Sequence, residues 1–316
     1  MKQVVIFLGV PDPELEEIEN VLEQVRGTFD CGDGVFRRRA IAGGPFVVSI
    51  RHAMVDGRRV HPGNAYKADK IADLVAGDTL VCIECAPSSI PEGVKVVVVD
   101  HHRPGDPGYD MGASQYWEAS SLGQVCHALE TGAWGFGIPD PEGPHVGWGR
   151  HWLCRPGVGG RWHKIAALDH CRSAALAGRC PGVSAEAALA TRVAEIAKAT
   201  LVTEEEVRER IESFREEITA SEEVVIGGQV VRDLRRFDLG VGYSPDLLAA
   251  QTAGSLDGYA VLFQHRDTEG GKIKCSLSEH PAPETIIAFK ESWAPSHGLV
   301  RVYGVPDRGY AGGYLE

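Results

Sequence analysis

Four consecutive valines, Val96 to Val99, run straight into Asp100, and no other segment restricts the fold as strongly. A continuous β-branched run without polar alternation suits a strand covered on both faces, as in a parallel sheet flanked by helices. Runs of the same kind occupy Lys2 to Leu8, Pro45 to Ile50 and Thr79 to Glu84. Between them, Leu15, Ile18, Leu22 and Val25 recur at helical spacing within Pro13 to Val25, and Ala65 to Ala76 also reads as helical. The spacing predicts an α/β domain with a parallel sheet over residues 1–183. Ligands of such sheets collect beyond the carboxyl ends of the strands, which directs attention to the residues just after Leu8, Ile83 and Val99.

The pattern then changes. Gly132 to Gly160 is rich in Gly, Pro and Trp, including Trp134, Trp148 and Trp152, and reads as a long loop or insertion whose rings either cap the core edge or stack on a ligand. Residues 184–222 are Ala- and Glu-rich and predict two linker helices, the second opened by a capping box at Thr203 and Glu206. Residues 223–316 predict a smaller α+β domain: strands over Val224 to Leu234, Tyr259 to His265 and Lys272 to Leu277, a hairpin turn at Glu269-Gly270-Gly271, and a helix over Pro283 to Ser292.

Charge and composition narrow the function classes. The 316 residues carry a formal net charge of −12, which disfavours a long nucleic-acid duplex as partner. No apolar run approaches the roughly 18 residues that span a bilayer, and Val4 to Val10 passes into the acidic stretch Glu14 to Glu19 without a cleavage-like site, so no membrane role and a cytoplasmic location are expected. Eight cysteines are mostly far apart, as expected of reduced thiols. Cys82 and Cys85 have a Cys-x-x-Cys spacing, but within an apolar strand this reads as buried rather than metal-binding. The oligomeric state is left open, a dimer included.

Chemistry concentrates at Asp100-His101-His102, a carboxylate and two imidazoles where a strand opens into a loop. Mixed oxygen and nitrogen donors suit borderline divalent metals. With its neighbours this motif resembles the DHH phosphoesterases, a family that includes RecJ-like exonucleases, oligoribonucleases, cyclic-dinucleotide phosphodiesterases and family II pyrophosphatases. The family's first motif corresponds to Leu8-Gly9-Val10-Pro11-Asp12-Pro13-Glu14, with both acids present and Leu8 where the family has His. Glu84, in Cys82-Ile83-Glu84-Cys85, stands where the family usually has Asp. Asp100-His101-His102 is similar to the name-giving motif, Glu118-Ala119-Ser120-Ser121 to the segment that follows it, and Asp169 to the lone fourth-motif Asp. Arg308-Gly309-Tyr310-Ala311-Gly312-Gly313-Tyr314 is similar to the Gly-rich substrate loop of the DHHA1 domain.

The resemblance implies a parallel-sheet DHH domain joined by helices to a smaller DHHA1-like domain, and a metal-dependent phosphoesterase. It implies Mn²⁺, with Mg²⁺ second, and Asp12, Glu14, Glu84, His101 and Asp169 as ligands around two ions. Asp100 would orient a His, and His102 would meet the phosphoryl group. His61 or His170 could replace the ligand lost at Leu8. Substrate contacts are expected from Asn64, Lys67, Ser120, Arg308, Gly312 and Gly313; Ser120 and Ser121 also suit a helix cap. The net charge favours a small nucleotide, a cyclic dinucleotide or a short oligonucleotide as substrate. The alternative expectation is an altered DHH-fold protein that binds such a ligand without hydrolysing it.

Overall fold

The apolar run at the N-terminus forms β1 (Lys2–Leu8), the central strand of the first sheet. The structure is a computed structural model and describes residues 2–27, 36–40, 44–134, 158–267, 271–306 and 309–315. Its chain divides into two compact units, Met1–Cys171 with Cys180–Val183, and Arg172–Arg179 with Ser184–Glu316.

In the first unit α1 (Pro13–Gly27) follows β1, and β2 (Phe36–Ala40), β3 (Gly44–His52), a small β4 (Met54–Val55) and β5 (Arg58–Arg59) pair, β6 (Thr79–Ile83) and β7 (Lys95–Val99) come next. Helices α2 (Tyr116–Ala119), α3 (Ser121–Thr131) and α4 (Val158–Leu176) complete the order. The main sheet runs β2-β3-β1-β6-β7. Strands β3, β1, β6 and β7 are parallel, and β2 joins β3 antiparallel. Alternation divides β1 between two layers. Val4, Ile6 and Leu8 pack with Leu15, Ile18 and Leu22 of α1 and Leu122, Val125 and Leu129 of α3. Val5 and Phe7 face Ala53, Val60, Ala65, Ala68, Ile71 and Leu74. Leu8 pairs with both His52 and Ile83, and Ile83 with Val99. That register brings the carboxyl ends of four parallel strands level, so Gly9, Glu84 and Asp100 emerge side by side.

Two expectations are corrected here. The valine run is an edge strand, with Val96 at 40% and Val98 at 43% exposure, rather than a run covered on both faces. Residues 65–76 form only a short 3₁₀ turn at Ala65–Lys67. Ala65, Ala68, Ile71 and Leu74 are buried as a helical face would be, but the backbone amides of Ala68 and Asp69 donate to Ala86 and Met54 carbonyls instead of back along a helix. A three-residue apolar rhythm can thus line a core without helical hydrogen bonding.

The second unit begins, after residues 172–179, with α5 (Ala185–Thr200) and α6 (Glu204–Ala220). Thr203 and Glu206 form the capping box expected there. Val193, Ile196, Val207, Ile211 and Ile218 on these helices share a core with Leu247, Leu248, Ala250 and Phe263. The remaining elements are β8 (Glu222–Ile226), β9 (Gln229–Asp233), α7 (Pro245–Asp257), β10 (Ala260–Arg266), β11 (Ile273–Glu279), α8 (Pro283–Ala288), α9 (Ala294–Ser296), β12 (Leu299–Val305) and β13 (Tyr310–Leu315). Their sheet is mixed, in the order β12-β13-β11-β10-β9-β8, with a parallel β9–β10 pair among antiparallel neighbours. The chain is therefore mixed α/β, with a parallel four-strand sheet and a separate mixed sheet. No helix among the described residues is long and apolar enough to cross a membrane. Trp148, Trp152, Arg308 and the Glu269-Gly270 part of the expected hairpin turn lie outside the described residues.

Candidate metal centre

Asp12, Glu14 and Glu84 are positioned by backbone features at a strand end or helix start. Asp12 precedes Pro13, the first residue of α1, and its Oδ1 accepts from the Leu15 amide at 2.7 Å, as a helix-capping carboxylate does. Two residues on, Glu14 is fully buried. Its Oε1 accepts from the Leu122 amide in the first turn of α3 at 3.0 Å, so the donor-rich start of a second helix holds it. Glu84 follows β6 with a left-handed backbone, φ +52°, and its amide donates to Val99 O at 3.0 Å. His101 continues β7 beyond Asp100 and is fully buried. Asp169 comes from α4, 26% exposed at its side chain.

These side chains converge. His101 Nε2 lies 2.8 Å from Asp169 Oδ2, 3.6 Å from Glu14 Oε2 and 3.7 Å from Glu84 Oε1. One donor atom from each of Glu14, Glu84, His101 and Asp169 lies within 4.8 Å of the others, and Glu84, His101 and His102 form a second such group. Donors at ~2.1 Å from one ion are at most about 4.2 Å apart, so small side-chain rotations would close the first group around a cation. Glu14 Oε2, Glu84 Oε1 and Asp169 Oδ2 are buried carboxylate oxygens that crowd one His101 nitrogen, whose single proton cannot satisfy all three. Buried carboxylate oxygens in that state carry a high cost unless a cation neutralises them. The four residues therefore fit a metal ion.

Titration behaviour follows from this crowding. Burial, then the negative charges of Glu84 and Asp169, raise Asp12 well above the usual carboxyl range. Burial and Asp169 do the same to Glu14. Burial opposes the charged form of His101, but contacts with Asp169, Glu14 and Glu84 outweigh it and push the imidazolium up to about 12. Asp169 is lowered despite its burial, because His101 donates to it. Without a metal, a proton on His101 thus occupies the place a cation would take.

A further contact chain fixes which His101 nitrogen faces the acids. His170 Nε2 lies 2.8 Å from the Met111 carbonyl, which can only accept, so Nε2 donates. Neutral His170 then accepts at Nδ1, 3.2 Å from His101 Nδ1, which must donate. In neutral His101 the lone pair is left on Nε2, pointing into the acids. His170 acts beside the expected ligand set, through His101.

Asp100 stands one step back. Its Oδ1 accepts from the His101 and His102 amides at 2.7 and 3.0 Å and from His102 Nδ1 at 2.9 Å. Its Oδ2 accepts from the Tyr66 hydroxyl at 2.7 Å. Burial works against its charge, but the His102 and Tyr66 hydrogen bonds hold it below the usual carboxylate range. His102 is 40% exposed at its side chain and turns Nε2 away from Asp100. Tyr66 was not signalled by the sequence, since nothing in its spacing points to a strand end 34 positions away.

Several expected substrate contacts take other roles. Ser120 is buried and caps α3, accepting from the Gly123 amide at 3.0 Å. Asn64 opens no long helix; its Oδ1 accepts from the His61 amide at 2.8 Å, and Lys67 is exposed. Gly312 and Gly313 lie in β13, paired with Ser276 and Cys275 of β11 and flanked by β12, so their amides belong to a sheet ladder rather than a phosphate loop. A Cβ on Gly312 would sit 2.4 Å from Tyr303 Oη. Leu8 is fully buried among apolar side chains. His61 is exposed, and neither His61 nor His170 belongs to a donor group among the described residues. Cys82 and Cys85 are buried, and Cys85 Sγ donates to Phe7 O at 3.3 Å.

Gly9 supports the site without supplying a donor. A Cβ there would meet Glu84 O at 2.3 Å and Ile83 O at 2.8 Å, both backbone atoms that cannot swing aside. Gly9→Ala is expected to destabilise the fold by about 1–3 kcal/mol and to displace Glu84 from the donor group; urea melts and a divalent-cation titration check both. No protein-family model and no curated protein matches this sequence.

Proposed function

We propose that the chain is a DHH-type, metal-dependent phosphoesterase that hydrolyses a phosphodiester or phosphoanhydride bond of a small nucleotide, a cyclic dinucleotide or a short oligonucleotide. The observation that carries this reading is the convergence of Glu84 and His101, from aligned strand ends, with Glu14 of α1 and Asp169 of α4, and with Asp100 and His102 beside them. Mn²⁺ is the proposed cation, ahead of Mg²⁺, because an imidazole stands among the oxygen donors. Glu84 belongs to both donor groups and is the proposed shared ligand of two ions. Bound divalent cations would lower the pKa of a coordinated water and stabilise charge on a phosphoryl group.

The side chains divide the remaining work. His170 holds the His101 ring so that Nε2 faces the acids. Asp100 fixes His102 through Nδ1 and leaves its Nε2 for a phosphoryl oxygen or a leaving group. Exposure at His102 and Asp169 marks the side from which a substrate would approach.

The test is Mn²⁺-dependent hydrolysis of a dinucleotide and of bis(p-nitrophenyl) phosphate. Asp100→Ala should reduce turnover at least about 100-fold, the upper range for losing a residue that orients a metal ligand. Turnover that ignores both Mn²⁺ and this substitution overturns the proposal. Leu8, apolar and buried where a family ligand would stand, favours one second reading, a protein that binds nucleotide without hydrolysing it. Saturable nucleotide binding with no turnover at any Mn²⁺ concentration would select that reading.

A further inference from the structure

A pair of thiols lies beside the limb that carries Asp169. Cys171 Sγ and Cys180 Sγ are 3.2 Å apart, although their spacing in the chain gives no motif. Cys171 comes two residues after Asp169 and directly after His170, and its backbone leaves helical geometry inside α4, at φ −149° and ψ 56°. The chain returns through Gly178, φ +68°, with Gly178 N donating to Ala175 O at 3.0 Å and Arg179 N to Ala174 O at 2.9 Å. Cys180 is 2% exposed. It is anchored on its far side, where the Tyr116 hydroxyl donates to Pro181 O at 3.1 Å. Cys171 is half-buried, so a small molecule can reach one member of the pair.

We propose that Cys171 and Cys180 are a reversible modification site, a dithiol oxidised by a small disulfide of the glutathione class, and that closing the bond weakens cation binding at Asp169. The coupling rests on the metal-site reading above; the formation of the bond does not. Chemically, the Cys171 thiolate attacks one sulfur of the oxidant, forming a mixed disulfide and releasing one small thiol. Cys180 then loses its proton to solvent and attacks Cys171 Sγ, displacing the second small thiol. Two protein thiols are oxidised to one disulfide, and one small disulfide is reduced to two thiols.

Distance sets the consequence. A disulfide is about 2.05 Å long, so the sulfurs must close by roughly 1.1 Å from their present separation. Cys180 is held by its neighbours, whereas Cys171 sits at a break in α4, so the movement falls mainly on Cys171 and passes through His170 to Asp169. Metal coordination tolerates only about 0.2 Å in ligand distance. A shift of that size at one ligand is expected to weaken Mn²⁺ binding about tenfold, the scale of disturbing a residue that orients a ligand.

The experiment uses the full chain, reduced or treated with glutathione disulfide. The expected result is a fall from eight to six titratable thiols after denaturation, a peptide joining residue 171 to residue 180, and about tenfold weaker Mn²⁺ binding by calorimetry that dithiothreitol reverses. Cys180→Ser, which alters no proposed ligand, should give neither the linked peptide nor the affinity change. Absence of the 171–180 linkage under oxidation overturns the modification site. Equal Mn²⁺ affinity of the linked and reduced forms overturns the coupling. Failure of the reduced protein to bind Mn²⁺ overturns both the coupling and the metal-site reading, while the peptide map still decides whether the disulfide forms.

Discussion

Glu14→Gln is expected to weaken Mn²⁺ binding at least about 100-fold, beyond the roughly 10–100-fold cost of losing an outer partner of a ligand, and to make the cation-free protein more stable. The two effects have one origin. Glu14 is fully buried, and its carboxyl is raised well above the ordinary range by burial and by Asp169, so the cation-free fold must either hold a proton there or bury a charge. Gln has the same length and keeps a carbonyl for the Leu122 amide that now donates to Glu14 at 3.0 Å. It removes the charge that a cation requires and that the empty cluster tolerates poorly. A carboxyl raised in the folded state must take up a proton on folding at neutral pH, a cost that the neutral Gln does not carry. Calorimetric titration with Mn²⁺ and urea denaturation in a chelator measure the two halves. Unchanged Mn²⁺ affinity would remove Glu14 from the site, and a destabilised cation-free variant would show that its charge is already well compensated by His101.

The same physics explains what the chain disclosed before folding. The apolar runs of β1, β6 and β7 and the acids and imidazoles that follow them were legible because a parallel sheet places ligands at the ends of such runs. Asp12 and Glu14 were legible through the resemblance of Leu8 to Glu14 to a family motif, and Thr203 with Glu206 through the capping box. Other features depended on partners far along the chain. The register Leu8–Ile83–Val99 makes neighbours of three loops, and no local signal joins Tyr66 to Asp100 or His170 to His101. Residues 65–76 deceived because burial at every third position is shared by a helix and by a loop pressed on a sheet. Gly312 and Gly313 read as a loop because glycine weakens a strand; in β13 the small size of Gly312 is what the Tyr303 ring and the Cys275 backbone demand.

Mn²⁺ affinity is also expected to climb with pH, by about tenfold per unit for each proton released on binding. His101 supplies one such proton, since its imidazolium is raised from 6.5 to about 12 by the acids around it and a metal ligand must present Nε2 unprotonated. Glu14, also raised, supplies another. A group raised in the folded state stabilises the fold fully below its unfolded pKa and loses that contribution as pH rises through the folded value. For Asp12 and Glu14 the loss begins above the ordinary carboxyl range, and for His101 it begins above 6.5 and extends toward 12. Asp169 is lowered, so its contribution is present above the ordinary carboxyl range and disappears only in stronger acid. Between pH 5 and about 9, these shifts therefore make the cation-free protein less stable as pH rises, while the cation-bound protein is progressively favoured over it. Thermal melts with and without Mn²⁺ should diverge as pH increases, and calorimetry in two buffers of different ionisation enthalpy should show at least one proton leaving at pH 7. A pH-independent gap between the melts, with no proton released, would mean that His101 already stands neutral among the acids and that no cation competes with a proton there.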